Sequence, residues 1–209
     1  MSKFKNNLID TNLFPSFIVS TDLRSLVSND SIETDFSDIR NKDPGIFRTN
    51  IGGWHSELYN EIGELDDYKF LQELYNLTTE FVDEFLDNNH TNLYVSRMSM
   101  WLLENECYAY NTMHNHGKTD LIGVYYSNVP DTCCGITLMR TDSFTHTALS
   151  GSNNSSEFAT SFTPDIICGR LYIIPGHLYH HVRPYEGSGL RRSIVFNIHC
   201  DNTYHRQSE

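Results

Sequence analysis

The hydrophobic pattern of this chain changes near residue 90, and that change limits the folds available to it. Over residues 66–87 apolar side chains recur at steps of three and four, which predicts an amphipathic helix. Beyond residue 90 the period is two, and turn residues separate the short runs YVSRMSMWL, CYAYNTMH, LIGVYYS, GITLMR, RLYIIP, LYHHV and RRSIVFNIH. Seven or eight strands without βαβ alternation predict a mainly β fold with flanking helices, a jelly roll or related β-sandwich whose outer face the helix covers.

The segment before the helix predicts less regular structure. The run LFPSFIVSTDL from Leu13 predicts an edge strand with Pro15 at its start. Residues 28–54 are polar and irregular, which indicates an ordered loop anchored by Trp54. No linker divides the 209 residues, so we expect one domain, with strand, loop and helix to about residue 90 and a β core over about 91–200.

Charge and composition limit the binding partners and the cellular compartment that we expect for this protein. Twenty-seven acidic against 15 basic residues give a net charge of −12, which disfavours a nucleic-acid partner. No apolar stretch resembles a signal peptide or a membrane span, so we expect a cytoplasmic protein that binds no membrane. The odd cysteine set lacks C-x-x-C spacing, which favours reduced, packed thiols: Cys107, Cys133, Cys134, Cys168 and Cys200.

Two short histidine clusters could bind a metal. His114 and His116 stand two apart, so on a strand both imidazoles point to one side, although the pair alone also fits a surface position. In PGHLYHHVRP, alternation places His180 on the apolar, inward face, whereas His181 lies on the face expected to be wet.

The segment RRSIVFNIH places two polar side chains toward the interior. Arg191 and Ser193 share one face of the predicted strand, while the apolar neighbours on the other face suit the helix side. A buried guanidinium needs an anion, and an Arg fork with a hydroxyl two residues on fits a carboxylate. A protein Asp or Glu fits that requirement as well as a bound dicarboxylate does.

Taken in order, five motifs resemble the 2-oxoglutarate/Fe(II)-dependent oxygenases of the prolyl-hydroxylase-like branch, including its bacterial and phage set. The motifs are LFPSFIV, TNIGGWHSE, HNHGKTDLIGVYYSNVP followed by CGITL, PGHLYHHVRP and RRSIVFN. The resemblance implies a double-stranded β-helix, cupin-like, that uses Fe(II) and the co-substrate 2-oxoglutarate to hydroxylate a small-molecule or peptidyl substrate. The substrate's identity and the oligomeric state are not readable from these motifs.

The resemblance also implies roles for individual residues. It makes His114, His116 and His180 the iron ligands, and it gives Arg191, with Ser193 as its R-x-S partner, the far carboxylate of 2-oxoglutarate. Tyr126, in VYYSN, resembles the tyrosine that donates to the same carboxylate.

The sequence departs from the family at the second metal ligand. The family pattern is H-x-D/E, with two histidines and one carboxylate, whereas this chain has His116 at the carboxylate position. Asp120, four residues on, is the alternative ligand, and the same-face geometry favours His116. The H-x-H pair keeps open a three-histidine cupin-type metalloenzyme without 2-oxoglutarate, and a non-catalytic jelly-roll binding or structural module is a further alternative.

Overall fold

A computed structural model describes residues 16–131, 133–140 and 159–203. In it, two helices precede most of the strands of the sheet. In chain order the elements are β1 (Val19–Asp22), α1 (Asn29–Lys42), β2 (Asn50–His55), a 3-10 helix (Ile62–Leu65), α2 (Lys69–Asn88), β3 (Leu93–His114), β4 (Leu121–Asn128), β5 (Ile136–Met139), β6 (Ser161–Phe162), β7 (Arg170–Pro175), β8 (His180–Val182) and β9 (Arg191–Asn202). The mainly β prediction is confirmed.

The loop predicted over residues 28–54 is wrong, because α1 and β2 occupy most of it. The Ser28 hydroxyl accepts a hydrogen bond from the backbone N–H of Ser31 and caps α1. Ile32, Phe36 and Ile39 then form a short apolar stripe that is fully buried. Three apolar residues in a polar helix make a weak periodic signal, which is why the sequence pattern favoured a loop.

The Trp54 anchor predicted for this region is confirmed. Its ring is 8% exposed, and its indole N–H donates to the backbone carbonyl of Asp43 (3.1 Å). The ring of Phe36 lies 5.9 Å away, centroid to centroid. Trp54 therefore ties the segment after α1 to the core of the protein.

Helix α2 closely matches the helix predicted over residues 66–87. It buries one face through Leu71, Leu74, Thr78, Val82 and Leu86. Strand β1 lies at one end of the sheet, as predicted for an edge strand, whereas Pro15 lies outside the described residues. No helix in the described ranges is long and apolar enough to span a membrane.

The described strands form one antiparallel sheet that curls around a cavity. Their order is β1-β7-β4-β9-β3-β8-β5-β6, and β2 pairs with β3. Strand β3 belongs to both parts of the sheet, because residues 93–105 pair with β9 while Asn111 and His114 pair with β8. Between those two stretches Tyr108 has a φ of 65°, a left-handed conformation that bends the strand.

Strand β9 separates two hydrophobic clusters through simple alternation. Ile194, Phe196 and Ile198 pack with the helices on one face of the sheet. Val195 lies on the opposite face, in a second cluster that lines the cavity. The helix-covered outer face and the double-stranded β-helix are thus confirmed.

A partly buried ion-pair network joins α1 to the sheet. Arg192 contacts Glu104 (2.7 Å) and Glu33 (2.8 Å), and Arg40 contacts the other oxygen of Glu104 (3.0 Å). The Arg192 guanidinium also lies over the ring of Phe36, 4.8 Å from its centroid. Glu104 therefore balances two cations that the helix and the sheet bring together.

We expect Glu104→Ala to lower the free energy of unfolding by about 3–5 kcal/mol, because it leaves Arg192 without its closest carboxylate in a desolvated position. Urea unfolding followed by circular dichroism measures the loss. Asp38→Ala, which removes the exposed Asp38–Lys42 pair, is the matched control and should leave the free energy of unfolding almost unchanged, because solvent screens that pair. Equal losses in the two variants would contradict this role for Glu104.

Candidate metal centre and co-substrate pocket

The structure brings together the three histidines proposed as iron ligands. His114 ends β3, His116 follows on the turn, and His180 begins β8 as the register partner of His114. One ring nitrogen from each lies within 4.8 Å of those of the other two, and no carboxylate or thiol of the described residues joins the cluster. Such spacing lets three imidazoles bind one divalent metal ion.

Each imidazole is held through its Nδ1 atom. The Nδ1 of His114 lies 2.7 Å from the carbonyl of Thr112, and that of His180 lies 2.9 Å from the carbonyl of Leu178. A carbonyl oxygen can only accept, so both Nδ1 atoms carry the proton and donate it. This leaves the Nε2 lone pairs free for a metal.

Burial keeps these rings neutral. Desolvation lowers the pKa of His180 to about 3, with a partial offset from the bond to the Leu178 carbonyl. It also lowers the pKa values of His114 and His116. Because a metal binds only the unprotonated imidazole, the pocket holds its histidines in the form that binds a metal.

Asp120, the alternative second ligand, points elsewhere. Its carboxylate accepts the backbone N–H of Cys200 (2.9 Å) on β9, and its side chain is exposed. It does not belong to the histidine cluster or to the cavity lining.

The same cavity, of about 320 Å³, contains the residues proposed for the co-substrate. Arg191, Ser193 and Tyr126 line it together with the three histidines. Ser193 on β9 is the register partner of Tyr126 on β4, so the two side chains lie side by side.

Arg191 has a donor without a partner. It is 2% exposed, and its Nη1 donates to the carbonyl of Cys134 (2.6 Å), while its buried Nη2 has no hydrogen-bond partner. Neither atom therefore makes the internal salt bridge that the sequence left open. An unpaired guanidinium N–H is costly to bury, and a carboxylate in the cavity would satisfy it.

Tyr126 also has a proton to offer. Its hydroxyl accepts the backbone N–H of Ile136 (3.1 Å), so the oxygen is fixed while the O–H bond is free to point into the cavity. Burial raises the pKa of Tyr126 to about 12, so the hydroxyl stays protonated at neutral pH. Tyr126 can therefore donate to the same carboxylate as Arg191.

The cavity has polar walls that sequence reasoning missed. His55 is 8% exposed and stacks on Trp101, with ring centroids 5.7 Å apart and planes 3° apart. Asn105 and Asn111 are buried, and each keeps one side-chain polar atom without a partner. Sequence reasoning missed them because a polar side chain on a strand is more typical of a solvent-facing position than of a cavity wall.

Comparison with known proteins adds the family to this geometry. A family model described as "Putative 2OG-Fe(II) oxygenase" matches residues 99–197, a span that contains all six proposed site residues. Over these residues the chain is similar to the 2OG-Fe(II) oxygenase family. The family is one of Fe(II)- and 2-oxoglutarate-dependent enzymes, and the three-histidine cluster and the unpaired Arg191 donor fit those two cofactors. A search of curated proteins finds no match to the sequence.

Solved structures of low sequence identity share the fold. A prolyl hydroxylase from Trichoplax adhaerens, in complex with a hypoxia-inducible-factor peptide, has a TM-score of 0.61 at 11% identity, covering 92% of this chain and 86% of its own. HygX from Streptomyces hygroscopicus, with nickel and 2-oxoglutarate bound, has a TM-score of 0.51 at 10% identity, and the match covers 87% of this chain and 83% of HygX. The auxin-oxidation dioxygenase of Arabidopsis thaliana, in complex with 2-oxoglutarate, has a TM-score of 0.54 at 11% identity, and the match covers 87% of this chain and 82% of the dioxygenase.

The lowered histidine pKa values predict acid sensitivity of the metal-free protein. The unfolded chain takes up protons that the folded His180 refuses, so the free energy of unfolding should fall as pH drops from 6.5 toward about 3. Above 6.5 this contribution should be constant. Urea unfolding in the presence of a chelator measures the slope across that window.

His180→Gln should flatten this slope, because the buried titrating group is gone. His177→Gln removes an exposed imidazole from the preceding turn and should keep the wild-type slope. An unchanged slope in His180→Gln would show that the acid sensitivity comes from other groups.

Proposed function

We propose that His114, His116 and His180 hold the Fe(II) of this oxygenase and that Arg191, Ser193 and Tyr126 hold the far carboxylate of 2-oxoglutarate. One observation carries the proposal: three neutral imidazoles and the unpaired buried Nη2 of Arg191 face one cavity. A metal cluster and an anion site at two places in one pocket suit a ligand that chelates metal at one end and carries a carboxylate at the other.

The bound Fe(II) and 2-oxoglutarate supply the oxidising chemistry, in which decarboxylation of the co-substrate activates O2 for hydroxylation of a substrate C–H bond. The side chains of the protein position the co-substrate and limit water around it. Arg191 and Tyr126 fix the carboxylate end through charge-assisted hydrogen bonds. Val124, Ile136 and Val195 make an apolar wall beside them that limits water in the pocket.

We further propose that the substrate is a small molecule or a peptide side chain. The cavity is at the lower end of the size range of ligand pockets, and the co-substrate takes part of it. Structures of this fold have been solved with a peptide and with hygromycin B, so the scaffold accepts either class. The acidic charge of the whole chain supports a substrate other than nucleic acid.

We also propose a cellular location and a domain organisation for the chain. The five cysteines are free and half-buried, which supports a reducing, cytoplasmic location. The clusters on the two faces of one sheet support a single domain over residues 1–209.

The first test is anaerobic binding. Metal-free protein is mixed with Fe(II), and 2-oxoglutarate is then titrated while the visible charge-transfer band of the chelated keto acid is recorded. Wild type should give the band, and Arg191→Ala should need about 10- to 100-fold more 2-oxoglutarate while keeping its Fe(II) affinity, because it loses charge-assisted bonds to the far carboxylate.

The other outcomes favour different functions. Iron binding without a band would indicate the three-histidine cupin-type enzyme that binds its substrate without 2-oxoglutarate. Absence of iron binding would remove the metal assignment altogether. Equal weakening of iron and 2-oxoglutarate in Arg191→Ala would indicate a structural arginine.

A second test separates the two candidate second ligands. We expect His116→Ala to weaken Fe(II) binding strongly, because it removes one of three ligands. Asp120→Ala should leave Fe(II) binding unchanged, since its carboxylate faces Cys200. Calorimetric titration of the metal-free variants measures both. The reverse order of effects would assign the site to Asp120.

A further inference from the structure

The third imidazole is held differently from the other two. His114 and His180 donate from Nδ1 to backbone carbonyls two residues before them, within their own strand or turn. The Nδ1 of His116 instead lies 2.5 Å from Oδ1 of Asn197, a side chain 81 residues away on β9. His116 is therefore the one proposed ligand whose orientation depends on a distant side chain.

The sheet determines where Asn197 lies. It is half-buried on the cavity-facing side of β9, six residues beyond Arg191 on the same face. Its register partners are Ile122 on β4 and Ser99 on β3, so strands on both sides hold it in place. A side chain on a central strand is positioned more rigidly than one on the turn that carries His116.

The amide oxygen selects one form of the ring. Oδ1 can only accept, so the Nδ1 of His116 carries the proton and Nε2 keeps its lone pair. A ring in the opposite tautomer would present an N–H to the metal and could not bind it. The bond to Asn197 thus makes His116 able to serve as a ligand.

Stacking on Trp101 restrains the tilt of the His116 ring. Trp101, 8% exposed, lies against His116 with centroids 5.7 Å apart and planes 24° apart. The stack limits tilting of the imidazole, and the hydrogen bond limits its rotation in the plane. Together they point Nε2 toward His114 and His180.

We propose that Asn197 is a positioning residue that sets the tautomer, orientation and basicity of His116, so that this imidazole can stand where related enzymes place a carboxylate. The inference rests on the proposed function, because it requires the histidine cluster to bind metal. A partner on the far nitrogen of a ligating histidine raises its basicity, and losing such a partner typically costs about 10- to 100-fold in metal affinity.

The test uses metal binding and spectroscopy on the full chain. Fe(II) and Co(II) affinities are measured anaerobically for wild type, Asn197→Ala, Asn197→Asp and Ser99→Ala. Asn197→Ala should bind both metals about 10- to 100-fold more weakly. Ser99→Ala, which changes the neighbouring polar side chain on β3, is the matched control and should bind like wild type.

Asn197→Asp separates tuning of the ligand from support of the fold. A carboxylate of nearly the same shape accepts the same proton more strongly, so metal affinity should be kept or increased. A more electron-rich Fe(II) should also move the charge-transfer band of the Fe(II)–2-oxoglutarate complex to longer wavelength. A residue that only supports the fold would not shift that band.

The outcomes distinguish this inference from the proposed function. Wild-type affinity in Asn197→Ala, or equal weakening in the Ala and Asp variants with no band shift, would overturn the role of Asn197 alone. Failure of the wild type to bind Fe(II) or Co(II) would overturn the proposed function and this inference with it. If Asn197→Ala does not fold, the band position of Asn197→Asp against wild type decides.

Discussion

Strand β9 is shared by two interiors, and the rest of the structure depends on its register. Its even-numbered residues from Arg192 to Ile198 contact the helix layer, and its odd-numbered residues from Arg191 to Asn197 face the cavity. A slip of one residue would exchange the two faces and would turn Arg191 and Ser193 toward the helices and Phe196 toward the pocket. The hydrophobic core and the polar site therefore specify the same register.

The two adjacent arginines show how different the two faces are. Arg192 is surrounded by protein carboxylates and an aromatic ring, so its charge is satisfied within the fold. Arg191, one residue earlier, keeps a buried donor unpaired and faces a cavity. Burial of both costs desolvation, but only the first is compensated by the protein itself. The desolvation cost of Arg191 is one that a bound anion would offset, as the proposed co-substrate site requires.

Much of this architecture could be predicted from alternation alone. The helix over residues 66–87, the strands after residue 90 and the inward faces of His180 and Arg191 all follow from local periodicity. Helix α1 could not be predicted in the same way, because its stripe of three apolar residues lies in a polar segment and becomes visible only when the sheet covers it. Tertiary burial there outweighs a weak local pattern.

The residues around the metal cluster mark a second limit of sequence reasoning. The spacing of His114 and His116 is local and can be read from the chain, but the partner of each ring is not. Asn197 stands in the RRSIVFN motif on the same face as Arg191, and only the curl of the sheet brings it to a ring 81 residues earlier. His55 reaches the cavity for a similar reason, through β2 pairing with β3 and stacking on Trp101.

The net charge of the proposed metal site depends on its three neutral histidines. Three neutral imidazoles leave a divalent metal with its full charge of two, whereas a site with one carboxylate ligand would leave a charge of one. On the proposed assignment, the dianionic co-substrate would balance the larger charge, and Arg191 would hold its far carboxylate. In the absence of the co-substrate, little else in the pocket offsets that charge, since no carboxylate of the described residues lines the cavity. On the proposed assignment, the histidine set would make retention of the metal depend on 2-oxoglutarate more strongly than a carboxylate ligand would, and the neutral Asn197 acceptor would leave that dependence in place.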